Sequence, residues 1–267
     1  VSDNPGVNIL GNGEYAVLID SLGNSASKIG LCRCPVNDLY VRRWRGDVRR
    51  PSGQYFYLRD RDTGSVWSIA FEPSRAPPVM YEAEHAAYFT RFMNIHEAIR
   101  AVGKVFVPPT GMLEVWQVTV TNETARDRKL SLTSYLEWAL HNSRLDRDHP
   151  VFNRLFVHTE HKEYAPDLHA IVAFHRKSGM FGFHSVNSEI NSFETSRRQF
   201  IGVEHDQDMP FGISGKLSNT TGYTLDPAAS LRVDIDLQPY ESKTFLFLTG
   251  AGNSEDEVRQ LARDHST

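Results

Sequence analysis

Cysteine is nearly absent: the 267 residues contain two, Cys32 and Cys34. Neighbours so close on a strand point to opposite sides or close a strained ring, so a disulfide framework is excluded and two free thiols in a reducing compartment are expected. Long apolar runs are missing too. No stretch approaches the ~18 residues of a membrane-spanning helix, and no basic segment followed by an apolar one opens the chain, so neither a membrane segment nor an export signal is expected, and the location expected is cytoplasmic. Without an export signal, Asn122-Glu123-Thr124 and Asn219-Thr220-Thr221 read as polar turns rather than glycosylation sites. Positive charge is not in excess: a formal net charge of -4 creates no basic field, which makes nucleic acid a poor partner. Metal-binding spacings are lacking as well. The 11 histidines include His158 and His161, yet no Cys-x-x-Cys or His-Glu-x-x-His accompanies them. His205-Asp206-Gln207-Asp208 has neither the spacing nor the terminal bidentate Glu of a calcium loop and reads as a turn. Neither a metal nor a cofactor is expected, and no tandem repeat interrupts the chain.

What is present suffices for one large core, with 40% hydrophobic and 11% aromatic residues, and it is organised as a series of strands. The central stretch is residues 43–68. Tyr55, Tyr57 and Arg59 fall on one face and Phe56, Leu58 and Asp60 on the other; Asp62-Thr63-Gly64 then turns the chain back through Val66 and Trp67. This predicts a β-hairpin that presents a polar, aromatic surface, or, on the plainer reading, a sandwich hairpin with a solvated charged edge. Residues 15–20 form an earlier strand, entered from Gly11 and Gly13, and residues 72–78 break regular structure through their prolines. Residues 113–122 alternate cleanly. In residues 129–140, Leu130, Leu132, Leu136, Trp138 and Leu140 share a face that Ser134 interrupts, opposite Lys129, Ser131, Thr133, Tyr135 and Glu137. Residues 168–174, 181–185, 231–237 and 244–249 continue the series. Residues 87–107 are ambiguous by propensity, since Tyr88, Phe89, Phe92 and Ile95 suit a helix while Ile95, Ile99 and Val105 suit strands.

The period changes at the end. Ser254 followed by Glu257 is a capping box, Val258, Leu261 and Ala262 fall at i, i+3 and i+4, and Arg259 and Arg263 sit where cations suit the helix dipole. The pattern is an amphipathic helix whose apolar stripe needs a partner.

Several motifs occur in one order along the chain: GNGEYAVLI from Gly11, the run from Thr90 to Pro109, LTSYLEWAL from Leu132, HPVFNRLFV from His149, RRQFIG from Arg197 and GYTLDP from Gly222. Together they resemble the N-terminal domain of the inverting glycoside phosphorylases, a family that includes cellobiose and chitobiose phosphorylases and has related modules in cyclic β-1,2-glucan synthases. The resemblance runs over nearly the whole chain. It implies an all-β fold, a large antiparallel two-sheet β-sandwich of the galactose mutarotase-like supersandwich type with a C-terminal linker helix, and it decides residues 87–107 in favour of strands. It implies a sandwich domain at 1–252 and, at 253–267, the start of a helical linker to an (α/α)6 barrel that this chain does not include.

Inverting phosphorolysis requires a carboxylic acid to protonate the glycosidic oxygen while phosphate attacks the anomeric carbon from the opposite face. In the family that aspartate lies in the barrel, so no catalytic residue is carried over to this chain. Glu114, Glu137, Asp60 and Asp226 are available carboxylates, but Glu137 alternates on a strand and Asp226-Pro227 reads as a turn, and structural roles are expected for all four. The informative segment is residues 141–154, read as a long polar loop with an aromatic and arginines near its end, a chemistry suited to sugar hydroxyls and ring faces. The family's corresponding loop reaches the mouth of the partner subunit's active site. The resemblance therefore implicates His149, Phe152, Asn153 and Arg154 in substrate binding; the alternative is a solvated connection in which Arg144, Asp146, Arg147 and Asp148 pair among themselves. The function implied is that of a noncatalytic sandwich domain contributing subunit contacts and part of a sugar site. The alternatives are a free-standing carbohydrate-binding or assembly module and an aldose epimerase. The partners implied are a β-glucan type oligosaccharide, inorganic phosphate only together with the barrel, and either a second copy or a catalytic domain.

Overall fold

The computed structural model describes residues 6–30, 39–43 and 52–267. The expectations placed on Cys32, Cys34 and residues 44–51 of the central stretch lie outside these residues. The chain opens in a first sheet with β1 (Val7–Gly11), β2 (Tyr15–Asp20), β3 (Ser25–Ile29), β4 (Leu39–Arg42), β5 (Tyr55–Asp60) and β6 (Val66–Ser68). It crosses to a second sheet as β7 (Met80–His85), β8 (Thr90–His96), β9 (Ile99–Phe106) and β10 (Leu113–Asn122), then returns as β11 (Arg128–Asn142). Helices α1 (Ser143–Asp148) and α2 (Pro150–Arg154) follow, then β12 (Val157–Ala165), β13 (Leu168–His175) and β14 (Met180–Val186) in the second sheet. Next come β15 (Ser192–Ser196), α3 (Arg197–Ile201), α4 (Phe211–Ser214) and β16 (Pro227–Leu237), and finally β17 (Ser242–Gly252) and α5 (Glu255–Asp264). Among the described residues the first sheet has nine strands, ordered β1-β2-β3-β4-β11-β16-β15 with β5 and β6 branching from β11, and the second has eight, ordered β12-β13-β14-β17-β10-β9-β8-β7. Every ladder is antiparallel, as the expected two-sheet sandwich requires.

The alternations read from the sequence account for the core. Leu130, Leu132, Leu136, Trp138 and Leu140 of β11 all enter the cluster between the sheets, together with Phe56 and Leu58 of β5. Phe56 packs on Trp116 and Phe247 of the opposite sheet, with ring centroids 5.1 and 4.9 Å away. Ser134, the one polar interruption, is matched across the core by His184, whose ring bridges the hydroxyls of Ser134 and Thr249 at 2.8 Å each. Burial of an unbonded hydroxyl costs stability, and this pairing removes that cost. Residues 87–107 resolve into β8 and β9 because Glu97 and Ala98 both take positive φ, 47° and 58°, the two-residue turn whose twist matches a hairpin.

Two surface expectations differ. Tyr55 and Tyr57 of the central hairpin do not face solvent: they lie in a second cluster with Tyr135, Phe200, Ile201, Ile213 and Leu217. Residues of α3 and α4 cover that face of the sheet, and Phe200 stacks on Tyr135 at 4.4 Å. Sequence alternation identifies the two faces of a strand but not whether a later segment returns to cover the second one. The stripe of α5 likewise finds its partner within the chain. Val258 and Ala262 are fully buried against Leu113, Val115, Phe183 and Leu248 on the outer face of the second sheet. Its cap is as expected, with Ser254 Oγ accepting the Glu257 N–H at 3.2 Å.

Candidate functional site

The site is built where β11 leaves its sheet. The strand pairs with β16 and β5 along its first part and with β4 from Trp138 onward, its register against β4 shifts between Trp138 and His141, and Leu140 sits at φ 46° in the bulge. Such a bulge bends a strand and re-aims the residues beyond it. Here it directs the chain into α1 and α2. Asn142 caps α1 by accepting the N–H groups of Arg144 and Leu145, and a proline opens α2. The segment expected as an open polar loop is thus two short helices, because its Asn and Pro sit where helix starts are favoured.

Beneath these helices lies a cluster of six charged side chains. Arg43 grips Asp146 of α1 through two hydrogen bonds, 3.0 and 2.8 Å, and approaches Asp226 Oδ1 at 3.6 Å and Glu137 Oε2 at 4.0 Å. Arg197, at the start of α3, meets Glu137 at 3.2 Å and Asp226 at 3.5 Å. Arg154, at the end of α2, reaches Asp226 at 3.2 Å. Glu137 Oε1 also accepts from Tyr135 Oη at 2.8 Å and Gln207 Nε2 at 3.3 Å. Three arginines offset three carboxylates. Burial, and then the neighbouring Glu137 charge, push the Asp226 carboxyl above the usual range, opposed by Arg154, Arg197 and Arg43. Arg43 is only 4% exposed, yet its Nη1 makes no hydrogen bond, and neither does the facing Asp226 Oδ1. This buried donor and acceptor face each other at 3.6 Å as an ion pair without a direct hydrogen bond.

The four residues implicated by sequence divide into two pairs. His149 is exposed, and Phe152 is 56% exposed at the tip of α2 beside Val151, 69% exposed. Asn153 points the other way and is buried. Its Nδ2 donates to Ala139 O at 3.0 Å and to Asp146 Oδ1 at 2.8 Å, and its Oδ1 meets His175 Nε2 at 2.9 Å. Burial, then the neighbouring His141, hold His175 at a pKa of about 4, so the ring is neutral at pH 7 and its Nε2–H donates to Asn153. Arg154 is anchored in the charged cluster. Asp146 pairs with Arg43 and Asn153, while Arg144 does reach Asp148, at 3.5 Å.

Sequence reading missed Arg43, Glu137, Arg197 and Asp226 as a group. A signal was available: LTSYLEWAL, HPVFNRLFV, RRQFIG and GYTLDP supply Glu137, Arg154, Arg197 and Asp226, and these four motifs meet in space here. Glu114 serves the scaffold, paired with Arg42 at 2.9 Å deep between the sheets, and Asp60 closes its hairpin turn by accepting from Asp62, Thr63 and Arg128. Among the described residues no three His, Cys, Asp or Glu side chains stand converged to hold a metal ion, and no helix is long and apolar enough to cross a membrane.

The family model of the glycosyl hydrolase 94 supersandwich domain matches residues 2–267. The chain is similar to solabiose phosphorylase of Paenibacillus borealis, 28% identical over 230 residues that take in 83% of this chain and 29% of that protein. It is also similar to N,N'-diacetylchitobiose phosphorylase of Vibrio proteolyticus, 25% identical over 259 residues, 95% of this chain and 32% of that one. The chain therefore spans about a third of these relatives' length. In fold it resembles a galactose mutarotase related enzyme from Lactobacillus acidophilus, with a TM-score of 0.53 and 9% identity over 92% of this chain and 97% of that one.

Proposed function

We propose, from the premise that the chain belongs to the supersandwich domain family of glycosyl hydrolase 94, that it is the noncatalytic sandwich of a glycoside phosphorylase and supplies part of the sugar site and the subunit contacts. In this reading residues 1–252 are the sandwich and residues 253–267 lead toward a catalytic helical barrel. The observation that carries the proposal is a division of labour in residues 142–154. Asp146, Asn153 and Arg154 fix the two helices from below, whereas His149, Val151 and Phe152 are left exposed above. An exposed aromatic ring stacks on the apolar face of a sugar and an imidazole exchanges hydrogen bonds with hydroxyls, so a rigid tip of this composition suits an oligosaccharide of β-glucan type. Inorganic phosphate acts at the barrel, and a second copy or the catalytic domain completes the site, in the cytoplasm.

An epimerase would work with an imidazole and a carboxylate in one cleft. Here the Glu137 and Asp226 carboxylates are engaged instead by arginines, Tyr135 and Gln207. The proposal is tested by incubating the pure chain with phosphate and β-linked disaccharides and separating the products by anion-exchange chromatography. No sugar phosphate is expected. Release of a sugar phosphate that disappears in Glu137→Gln or Asp226→Asn would overturn the noncatalytic assignment.

A further inference from the structure

Far from α1 and α2, the hairpin of β12 and β13 brings two imidazoles together. Glu163 lies directly opposite His169, and His161 lies opposite Ile171, so His161 and His169 are diagonal neighbours across the ladder. Their rings are parallel to within 10°, with centroids 5.4 Å apart, and His161 Nε2 stands 3.3 Å from His169 Nδ1. One face of His161 is covered by Phe193 of β15, stacked at 4.4 Å and 13°.

The tautomers follow from the partners. His169 Nε2 lies 3.3 Å from Pro166 O. A carbonyl can only accept, so Nε2 carries the proton and Nδ1 offers a lone pair toward His161. A backbone carbonyl that fixes the outer nitrogen of an imidazole is the usual support of a metal-ligating histidine. The spacing also fits. Two nitrogens at ~2.0 to 2.1 Å from a tetrahedral ion stand about 3.3 Å apart, the separation seen here. Glu163 is exposed, on the same face of β12 two residues from His161, and its charge acts on that ring.

We propose that His161 and His169 are the fixed donors of a site for a divalent transition-metal ion of the zinc and copper class, completed by the Glu163 carboxylate swinging in from solvent. Two nitrogens stand at ligand spacing before the ion arrives, and the carboxylate is the third donor. On binding, the proton that His161 Nε2 shares with His169 Nδ1 moves to His161 Nδ1, so both rings stay neutral and no net proton is released. The ion would pin β12, an edge strand, to β13 and, through the Phe193 stack, to β15.

The test uses untagged Cys32→Ser/Cys34→Ser chain, which removes the thiols as competing ligands. Zinc titrated by calorimetry is expected to bind one to one and to raise the melting temperature. His169→Ala is expected to weaken binding at least tenfold, Glu163→Gln by less, and His158→Ala not at all. Copper(II) should show two equatorial nitrogens by electron paramagnetic resonance in the parent chain and one in His169→Ala. Among the described residues the His169 ring meets only His161 and the Pro166 carbonyl at the end of the hairpin, so its loss spares the fold even if His161→Ala disturbs Phe193. Zinc affinity unchanged in His169→Ala, or no binding at millimolar zinc, would overturn the site and leave the ring pair as a structural hydrogen bond.

Discussion

Replacing Asn153 separates the anchoring of α1 and α2 from what they display. Its side chain is 4% exposed and makes three buried hydrogen bonds, to Ala139 O, Asp146 Oδ1 and His175 Nε2. In Asn153→Ala, Ala139 O and His175 Nε2 lose this partner, and the buried Asp146 carboxylate loses one of its donors and keeps Arg43. At ~1 kcal/mol for each neutral bond and somewhat more for the charged one, the cost is about 3 kcal/mol. For a chain of this size that is a fall in melting temperature of roughly 6 to 12 °C. Asn153→Asp keeps the shape but loses the donor and sets a second carboxylate against Asp146, so it is expected to be at least as damaging. Phe152→Ala, one residue away but exposed, gives up a ring contact with Phe156 at 5.1 Å and is expected to stay within about 3 °C of the parent. Calorimetry or thermal circular dichroism on the three variants decides it. A fall under about 2 °C for Asn153→Ala, or a milder effect for Asn153→Asp, would refute the reasoning that these hydrogen bonds hold the two helices.

Two further outcomes stem from buried charge. Burial pushes His184 down to a pKa of about 3 and His175 to about 4, so between those values and about 6.5 the unfolded chain binds protons that the folded chain refuses. Stability is therefore expected to fall as pH drops below about 6.5, by up to ~1.4 kcal/mol per pH unit for each histidine; denaturant melts from pH 7 to 4 should show the loss, and a slope unaltered in His184→Gln would contradict it. Glu114→Ala strands Arg42 between the sheets and should cost ~3 to 5 kcal/mol, whereas Asp236→Ala removes an exposed partner of Arg61 and should cost no more than ~1 kcal/mol; similar denaturation midpoints for the two would contradict the assignment of burial.

Strand positions were legible because β11, β10 and β16 alternate so regularly that one face of each is evident from residue type alone. The covering of their second faces was not. Tyr55, Tyr57 and Tyr135 look like solvent-facing aromatics until α3 and α4 return over them, a contact between residues more than 60 positions apart that no local pattern encodes. The same holds for the stripe of α5, whose period announced a partner without saying that β10, β14 and β17 would be that partner. In the candidate site, the resemblance singled out residues 149–154 as a unit but could not tell inward from outward side chains. Two short helices turn Phe152 to solvent and its neighbour Asn153 into the protein, whereas an extended loop would have left both available. The charged cluster was hidden for a related reason: Glu137, Arg154 and Asp226 are each the lone charge in a largely apolar motif, Arg197 stands beside Arg198 at the edge of another, and only the fold brings the four motifs together.

The tip of α2 carries the functional assignment. In a phosphorylase in which this sandwich precedes its barrel, the KM for the disaccharide should be measured for Phe152→Ala and His149→Ala alongside the melting temperature. The prediction is a KM raised roughly tenfold, the loss of one ring-stacking or hydrogen-bonding contact worth about 1.4 kcal/mol, with melting within about 3 °C of the parent. A KM equal to that of the parent in both variants would contradict the claim that this surface forms part of the sugar site.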